Sequence, residues 1–247
     1  MPARLKFIVA YDGAKFAGWQ SQLHRKTVQD ELERVFCKIS GNRVRVHGAG
    51  RTDAGVHGLA QTAHVDLGNR KMSIKQWSLA LNAALPAGIR VLRCCYVSEK
   101  FHARYSAQGK LYRYRIWAAP ILPPLEVGRA WHLTSPLDLD LLRSAAQVFV
   151  GEHDFAAFAA NRGQKDENTT RTIRSIRVRK SGPCITIDVA GNGFLYKMVR
   201  LMVSAMTRVA LGKSELSAIA DGLESGRVDG FRFVAPAEGL YLVKVWY

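Results

Sequence analysis

Hydrophobic positions in the first part of the chain follow two spacings, one typical of helices and one typical of strands. Residues 27–40, TVQDELERVFCKIS, place apolar side chains at helical spacing, with Thr27 as the N-cap. The apolar members of this stripe are Val28, Leu32, Val35, Phe36 and Ile39. The neighbouring patterns predict strands at 5–11, 43–48, 61–67 and 89–97, and a helix at 73–85 that Pro86 ends. The resulting order, β-α-β-β-α-β, is that of a ferredoxin-like unit.

The second part of the chain repeats this order of elements. A strand is predicted in KLYRYRIW, a helix in LDLDLLRSAAQVFV, and paired strands in RTIRSIRVRK and CITIDVA. A helix in FLYKMVRLMVSAMTRVALG, a shorter helix from about residue 214 and a closing strand in LYLVKVWY complete the repeat. The sequence therefore predicts an α+β fold of two ferredoxin-like halves, residues 1–104 and 105–247, with a site between them.

The charge balance indicates a class of partner. Lys and Arg number 36 against 20 Asp and Glu, which gives a formal net charge of +16 over 247 residues. An excess of this size favours a polyanionic partner, and nucleic acid is the first expectation. A membrane is disfavoured because no apolar run approaches the roughly 20 residues of a transmembrane span.

The N-terminal sequence and the cysteines indicate a reducing compartment. MPARLKFIVAYDG has a short apolar run but lacks the longer apolar region and the cleavage site of a signal peptide, so a cytoplasmic location is expected. The four cysteines, which form no CxxC pair, are Cys37, Cys94, Cys95 and Cys184. We expect them to be reduced and mostly buried.

Arginines and tyrosines alternate in FHARYSAQGKLYRYRIW, as they do on many RNA-binding surfaces. In a strand, Tyr112 and Tyr114 face one side, while Arg113 and Arg115 face the other. The tyrosine side could stack on bases and the arginine side could contact phosphates. The alternative is that the tyrosines are buried sheet residues, which is the better interpretation of Tyr114.

A glycine-rich stretch, GAGRTDAGVHG at residues 48–58, contains a single acid, Asp53. Asp53 could simply stabilise a turn by bonding nearby backbone amides. A metal site is a second interpretation, because several possible ligands lie close in sequence: His47, Asp53, His57, His64 and Asp66. Their spacing matches no familiar ligand pattern such as HExxH, so no metal is expected. A phosphate-binding loop is a third interpretation, but no GxxxxGKS/T motif is present and a strand follows this loop.

The stretch GRTDAGVHG resembles the signature of the TruA family of tRNA pseudouridine synthases. The resemblance extends over nearly the whole chain and keeps the family's order of sequence blocks. These blocks are YDGAKFAGWQ, TVQDELE, NAALP, FHARYSA with YRY, GEHDFAAF, GNGFLYKMVR and APAEGLYLVKV.

The resemblance implies an isomerase that converts uridine to pseudouridine on the 3′ side of the tRNA anticodon arm, with no metal or cofactor. It also implies a basic cleft between two ferredoxin-like halves, and a homodimer. By position in the family's motifs, Asp53 corresponds to the essential aspartate, Tyr112 to the active-site tyrosine and Arg200 to the arginine that pairs with the aspartate. Arg51 corresponds to a residue that helps to hold the target nucleotide out of its stack.

The implied reaction detaches uracil from C1′ of the ribose at N1, turns it and rejoins it through C5. Asp53 could attack the sugar, attack the base or remove a proton from C2′, and the sequence does not choose among these roles. Two rival functions stay open. One is a non-catalytic RNA-binding module, and the other is a metal-dependent phosphodiesterase that uses the histidine-rich segment.

Arg200 is the residue at which helical periodicity and the resemblance disagree. On a helical wheel of FLYKMVRLMVSAM, the apolar stripe is formed by Phe194, Met198, Leu201, Met202 and Ala205. Arg200 lies opposite this stripe with Tyr196 and Ser204, as a solvated arginine would. Its cationic head lies near the positive end of the helix dipole, and a nearby carboxylate would offset that cost. We therefore expect Arg200 to pair with Asp53.

Overall fold

The structure is a computed structural model, and it describes residues 4–68, 72–160, 168–227 and 233–247. The chain divides into two compact units. The first unit comprises Met1–Gln108 together with Tyr241–Tyr247, and the second comprises Gly109–Leu240.

Helices and strands alternate along the chain, and the predicted α+β class is confirmed. In order they are β1 (Arg4–Tyr11), α1 (Val28–Ser40), β2 (Val46–Gly48), β3 (His57–Asp66), α2 (Ile74–Ala84), β4 (Ile89–Val97), β5 (Gly109–Ala118), β6 (Trp131–Leu133), α3 (Leu139–Val148), β7 (Gly151–Asp154), β8 (Thr170–Ser181), β9 (Cys184–Gly191), α4 (Met198–Ala210), α5 (Ser217–Ser225) and β10 (Leu240–Trp246).

The sheet of the first unit is built around β1, which pairs antiparallel with β3 on one side and with β4 on the other. Strand β2 also pairs antiparallel with β3, and β10 pairs parallel with β3 through Tyr241 and Leu242. Phe7 pairs with Ala63, and Lys6 pairs with His64. Because side chains alternate along a strand, Phe7 and Lys6 lie on opposite faces of this sheet.

The helices of the first unit cover the Phe7 face and form its core. The ring of Phe7 lies 5.4 Å from that of Phe36 on α1, and Phe36 lies 5.6 Å from Trp77 on α2. Helix α1 begins where the sequence predicts, because the hydroxyl of Thr27 accepts the amide of Asp30 at 3.2 Å. The face that carries Lys6 is the outer face of this sheet.

The second unit has a sheet in which β5, β9, β8 and β7 pair antiparallel in that order, with β6 parallel to β5. Helix α3 packs against α4 and β8. The sequence pattern does not predict β6 or β7, because strands of 3 and 4 residues are too short to show a period.

The cysteines are free, but the expectation that most are buried is wrong. Cys94 is buried, Cys95 is exposed, and Cys37 and Cys184 are half-buried. Cys94 and Cys95 are neighbours on β4, so one side chain faces the core and the other faces solvent. Within the described ranges, no helix combines the length and apolarity needed to cross a membrane.

Candidate active site

The glycine-rich loop connects β2 to β3 and carries Asp53 at a tight turn. The amide of Val56 donates to the carbonyl of Asp53 at 3.1 Å, and Gly55 takes a positive φ of 81° between them. Asp53 is half-buried, and Arg51, two residues earlier, is exposed. The turn thus fixes the backbone of the acid while the residue remains partly accessible to solvent.

Thr52 holds the loop from the side of the core. Its hydroxyl bonds the phenol of Tyr11 at 2.8 Å, and its carbonyl accepts the amide of Trp19 at 3.0 Å. Burial raises the pKa of Tyr11, so the phenol is neutral and can donate this bond. The residue next to Asp53 is therefore held through its side chain and its backbone. Tyr11 and Trp19 lie in the block YDGAKFAGWQ, and periodicity alone gives no signal for their role.

Two glycines allow the segment after β1 to pack directly on the loop. Gly18 has a φ of 97°, and a Cβ there would lie 2.7 Å from the carbonyl oxygen of Thr52. A Cβ on Gly13 would lie 2.1 Å from the carbonyl oxygen of Val56. Both distances are well below van der Waals contact, so no larger residue fits without moving the loop.

His57 connects the same two segments at the start of β3. Its Nδ1 accepts the amide of Gly13 at 3.1 Å, and its ring stacks on Tyr241 with centroids 4.6 Å apart. A nitrogen that accepts an amide proton carries none itself, so the 3.4 Å approach of the Asp12 carboxylate to Nδ1 is not an ion pair. This geometry gives His57 a structural role in holding the loop.

Three of the side chains considered as metal ligands, those of His57, His64 and Asp66, bind other groups. Nδ1 of His64 accepts the amide of Ala103 at 3.1 Å, and Asp66 binds the guanidinium of Arg4 at 2.7 Å and 2.9 Å. Across the described residues, no group of three or more His, Cys, Asp or Glu side chains could hold a metal ion.

Tyr112 and Tyr114, on β5 of the second unit, have different surroundings. Tyr112 is 7% exposed and meets the ring of Phe194 edge to face, with centroids 5.1 Å apart. Tyr114 is fully buried, donates its hydroxyl to the carbonyl of Pro236 at 2.7 Å, and has a pKa that burial raises. The interpretation of Tyr114 as a buried sheet residue is confirmed.

The arginines on the other side of β5 bind carboxylates. Arg113 forms a two-pronged pair with Asp188 at 2.7 Å and 2.8 Å. Arg115 lies 2.8 Å from Glu126. The arginine side of β5 was expected to contact phosphates, and these carboxylates offset much of its positive charge.

Arg200 does not lie on a solvated face, and that interpretation of the helical wheel is wrong. Helix α4 begins at Met198, after Lys197 in a left-handed conformation, so Tyr196 is not part of it. Ser204 is fully buried because α4 is covered on nearly all sides. Arg200 is half-buried, and its Nε donates to the carbonyl of Ala235 at 2.7 Å.

Arg51 and Asp53 thus share one loop of the first unit, whereas Tyr112 and Arg200 belong to the second. The pairing of Arg200 with Asp53 stays a prediction.

Comparison with known proteins assigns the chain to a family. A family model described as tRNA pseudouridine synthase matches residues 7–106 and 145–247. The tRNA pseudouridine synthase A of Akkermansia muciniphila is 45% identical over 251 residues, covering 99% of this chain and 95% of that protein. The enzyme of the same name from Acetivibrio thermocellus is 39% identical over 98% of this chain and 99% of its own length. The enzyme of the same name from Staphylococcus aureus is 37% identical over 98% of this chain and 91% of its own length.

The family model covers both parts of the chain, and these relatives align over almost their full lengths. The resemblance first drawn from GRTDAGVHG is confirmed, and this protein belongs to the tRNA pseudouridine synthase family.

Proposed function

We propose that this protein isomerises uridine to pseudouridine in tRNA, at uridines on the 3′ side of the anticodon arm. The observation that carries the proposal is Asp53, a half-buried acid on a loop that hydrogen bonds of Tyr11, Trp19 and His57 tie to the first strand and the segment after it. The reaction breaks the bond from N1 to C1′ and forms one from C5 to C1′. The proton on C5 is lost and N1 gains one, so no oxidant, reductant or hydrolytic water is consumed.

Asp53 supplies the carboxylate for this exchange, as nucleophile or as base. Such a group must approach a nucleotide that has left its stack, because the reacting atoms are covered in a paired helix. Arg51, exposed on the same loop, helps to hold that nucleotide out. The small residues around Asp53 leave room for the ribose to approach the backbone.

Tyr112 stacks on the detached uracil and assists loss of the C5 proton. Its ring is positioned by β5 and by the edge-to-face contact with Phe194. Arg200, held through its Nε by the carbonyl of Ala235, has further guanidinium nitrogens with which to orient the carboxylate of Asp53. No step assigned to these residues draws on a metal or cofactor.

The partner is tRNA, bound largely through phosphates, because the chain carries a net charge of +16. The cytoplasm is the proposed location. We further propose that residues 1–104 and 105–247 form two ferredoxin-like domains. This division differs from the two compact units at the C-terminal strand, because Tyr241–Tyr247 cluster with the first unit. The antiparallel neighbours β4, β1, β3 and β2 of the first unit support this assignment.

A homodimer is proposed from the family resemblance alone. Sedimentation at micromolar concentration should give twice the chain mass of 27.4 kDa, and a monomer would remove this part of the proposal.

Tritium release from tRNA that carries C5-tritiated uridine, assayed with EDTA present, tests the function. The proposed reaction releases tritium from intact tRNA despite the chelator. Binding without release would identify an RNA-binding module, and chain cleavage that EDTA abolishes would identify a metal-dependent phosphodiesterase.

A further inference from the structure

Three histidines are in mutual contact on the face of the first unit's sheet that lies opposite its helices, two of them on strands and one in the turn that packs there. His47 on β2 lies directly opposite His64 on β3, and their rings stack with centroids 4.9 Å apart. The ring of His102 lies 4.7 Å from that of His64 and 5.5 Å from that of His47. His64 is only 1% exposed, so the cluster has a buried base.

A turn at residues 101–106 is tied to this base by hydrogen bonds. Arg4 donates to the carbonyl of Phe101 at 2.7 Å, and the amide of Ala103 donates to His64 Nδ1 at 3.1 Å. The hydroxyl of Tyr247 donates to the carbonyl of Ala103 at 2.7 Å. The backbone of the turn is therefore held by hydrogen bonds to three side chains, those of Arg4, His64 and Tyr247.

This fixed turn presents an aromatic ring to solvent. Tyr105 is 77% exposed, although its ring lies 4.3 Å from the ring of His102. The exposed guanidinium of Arg104 lies 5.7 Å from the Tyr105 ring. We call the side chains of His102, Arg104 and Tyr105 the Tyr105 platform. The platform therefore combines an accessible aromatic ring with an adjacent cation, a pairing that suits a flat, negatively charged partner.

Two of the clustered histidines, His64 and His102, have pKa values lowered below the ordinary value, which favours their neutral, stacking form. Burial, and then the charge of Arg4, lowers the pKa of His64 to about 4. The pKa of His102 is also lowered, mainly by burial, and its Nδ1 accepts the amides of Arg104 and Tyr105 at 3.1 Å and 3.3 Å. Among the three side chains of the platform, the positive charge therefore belongs to Arg104.

We infer that the Tyr105 platform binds an unpaired base of the RNA substrate, with Tyr105 stacked on the base and Arg104 against the adjoining phosphate. This inference rests on the proposed function for the identity of the RNA. Aromatic rings beside arginine are the usual means of holding splayed bases, and stacking tolerates any base. A preformed ring loses little conformational entropy on binding. The net charge of +16 favours RNA over a neutral protein partner.

Replacing the ring tests the inference. Tyr105→Ala should raise the Kd for an unmodified tRNA transcript about tenfold, whereas Tyr105→Phe, which keeps the ring, should stay within about twofold. Single-turnover rates at saturating enzyme, where binding no longer limits the rate, measure any effect on the chemical step separately from the effect on Kd. Leu79→Ala is the control. Leu79 is 63% exposed on α2, which covers the opposite face of the same sheet.

A base-deletion experiment locates the contact. Each unpaired tRNA position is made abasic in turn, and the Kd is measured for the wild type and for Tyr105→Ala. At one position the missing base should weaken binding by the wild type but not weaken binding by Tyr105→Ala any further. Equal Kd values for the wild type and Tyr105→Ala would overturn the inference. A change in sedimentation with unchanged Kd would also overturn it, because it would assign the ring to self-association. If wild-type protein released no tritium but Tyr105→Ala still weakened binding, the proposed function would fail and the platform would stand.

Discussion

At the scale of single residues, the site depends on contacts that hold the neighbours of Asp53. The bond between Tyr11 and Thr52 joins residues 41 positions apart, and both partners are buried. A buried hydroxyl that loses its partner destabilises the fold, and here the hydroxyl left unpaired would be that of Thr52, next to Asp53.

Tyr11→Phe tests this contact. We expect a loss of about 1–2 kcal/mol in the free energy of unfolding. The single-turnover rate should fall about tenfold because the carboxylate is displaced, while the Kd for tRNA stays nearly constant. Tyr96→Phe is the matched control. Its hydroxyl is also bonded, to Trp77 at 3.1 Å, but lies outside the loop contacts. Equal loss of rate in the two variants would assign the effect to general destabilisation.

Arg200→Lys tests the proposed orientation of Asp53. Lysine keeps the charge but has no planar fork to bond both the Ala235 carbonyl and a carboxylate. Turnover should therefore fall at least about tenfold, with tRNA affinity within a few-fold. Arg208→Lys on the same helix, where the guanidinium bonds the carbonyl of Lys213, should leave the rate unchanged. An unchanged rate in Arg200→Lys would remove Arg200 from the site.

His64 should make stability dependent on pH. Its pKa is 6.5 in an ordinary setting and about 4 in the fold, so the unfolded chain binds a proton that the folded chain does not. The free energy of unfolding should fall, on the order of 2 kcal/mol, as pH drops from 6.5 to 4. His64→Asn can still accept the Ala103 amide but does not titrate, so its slope should be shallower. Urea unfolding across this range measures both slopes, and equal slopes would contradict the assignment.

At the scale of elements, close packing of the segment after β1 against the glycine-rich loop sets the position of Asp53. Gly18→Ala places a Cβ 2.7 Å from the Thr52 carbonyl, at a φ of 97°. Gly41→Ala has a comparable φ of 72° but no heavy atom within 4 Å of the added Cβ.

Both glycine variants should lose about 1 kcal/mol of stability from the left-handed backbone, and Gly18→Ala should lose more because its Cβ also meets the Thr52 carbonyl. Only Gly18→Ala should also lower the single-turnover rate, because only there must the loop move. Chemical unfolding and single-turnover assays on both proteins measure the two effects. A rate loss of equal size in Gly41→Ala would contradict the packing account.

The elements themselves follow from local spacing, which is why the sequence predicts them well. Thr27 and Pro86 mark helix ends by backbone chemistry that needs no tertiary context. Burial around α4 is different. A helical wheel assumes that the polar face of a helix is exposed to solvent. In α4 other parts of the chain also cover the polar face, so Ser204 is buried. The contact of Tyr11 with Thr52 depends on chain segments that meet only in the fold, so no local pattern predicts it.

At the scale of the whole molecule, binding and chemistry should separate. With a net charge of +16, we expect phosphate contacts to be spread over many side chains, so removal of one group should weaken tRNA binding without abolishing it. The proposed chemistry, in contrast, depends on one carboxylate on the glycine-rich loop, that of Asp53. A variant that removes this acid should therefore bind tRNA and leave it unchanged.

Asp53→Asn, assayed with C5-tritiated tRNA, is the most direct measurement of the central claim. The variant should bind tRNA within a few-fold of the wild type and release no tritium, because the amide cannot act as nucleophile or base. Asp140→Asn removes the same charge from an exposed carboxylate on α3 and should retain full release. Tritium release by Asp53→Asn at a rate near that of the wild type would contradict the assignment of Asp53 as the catalytic acid residue.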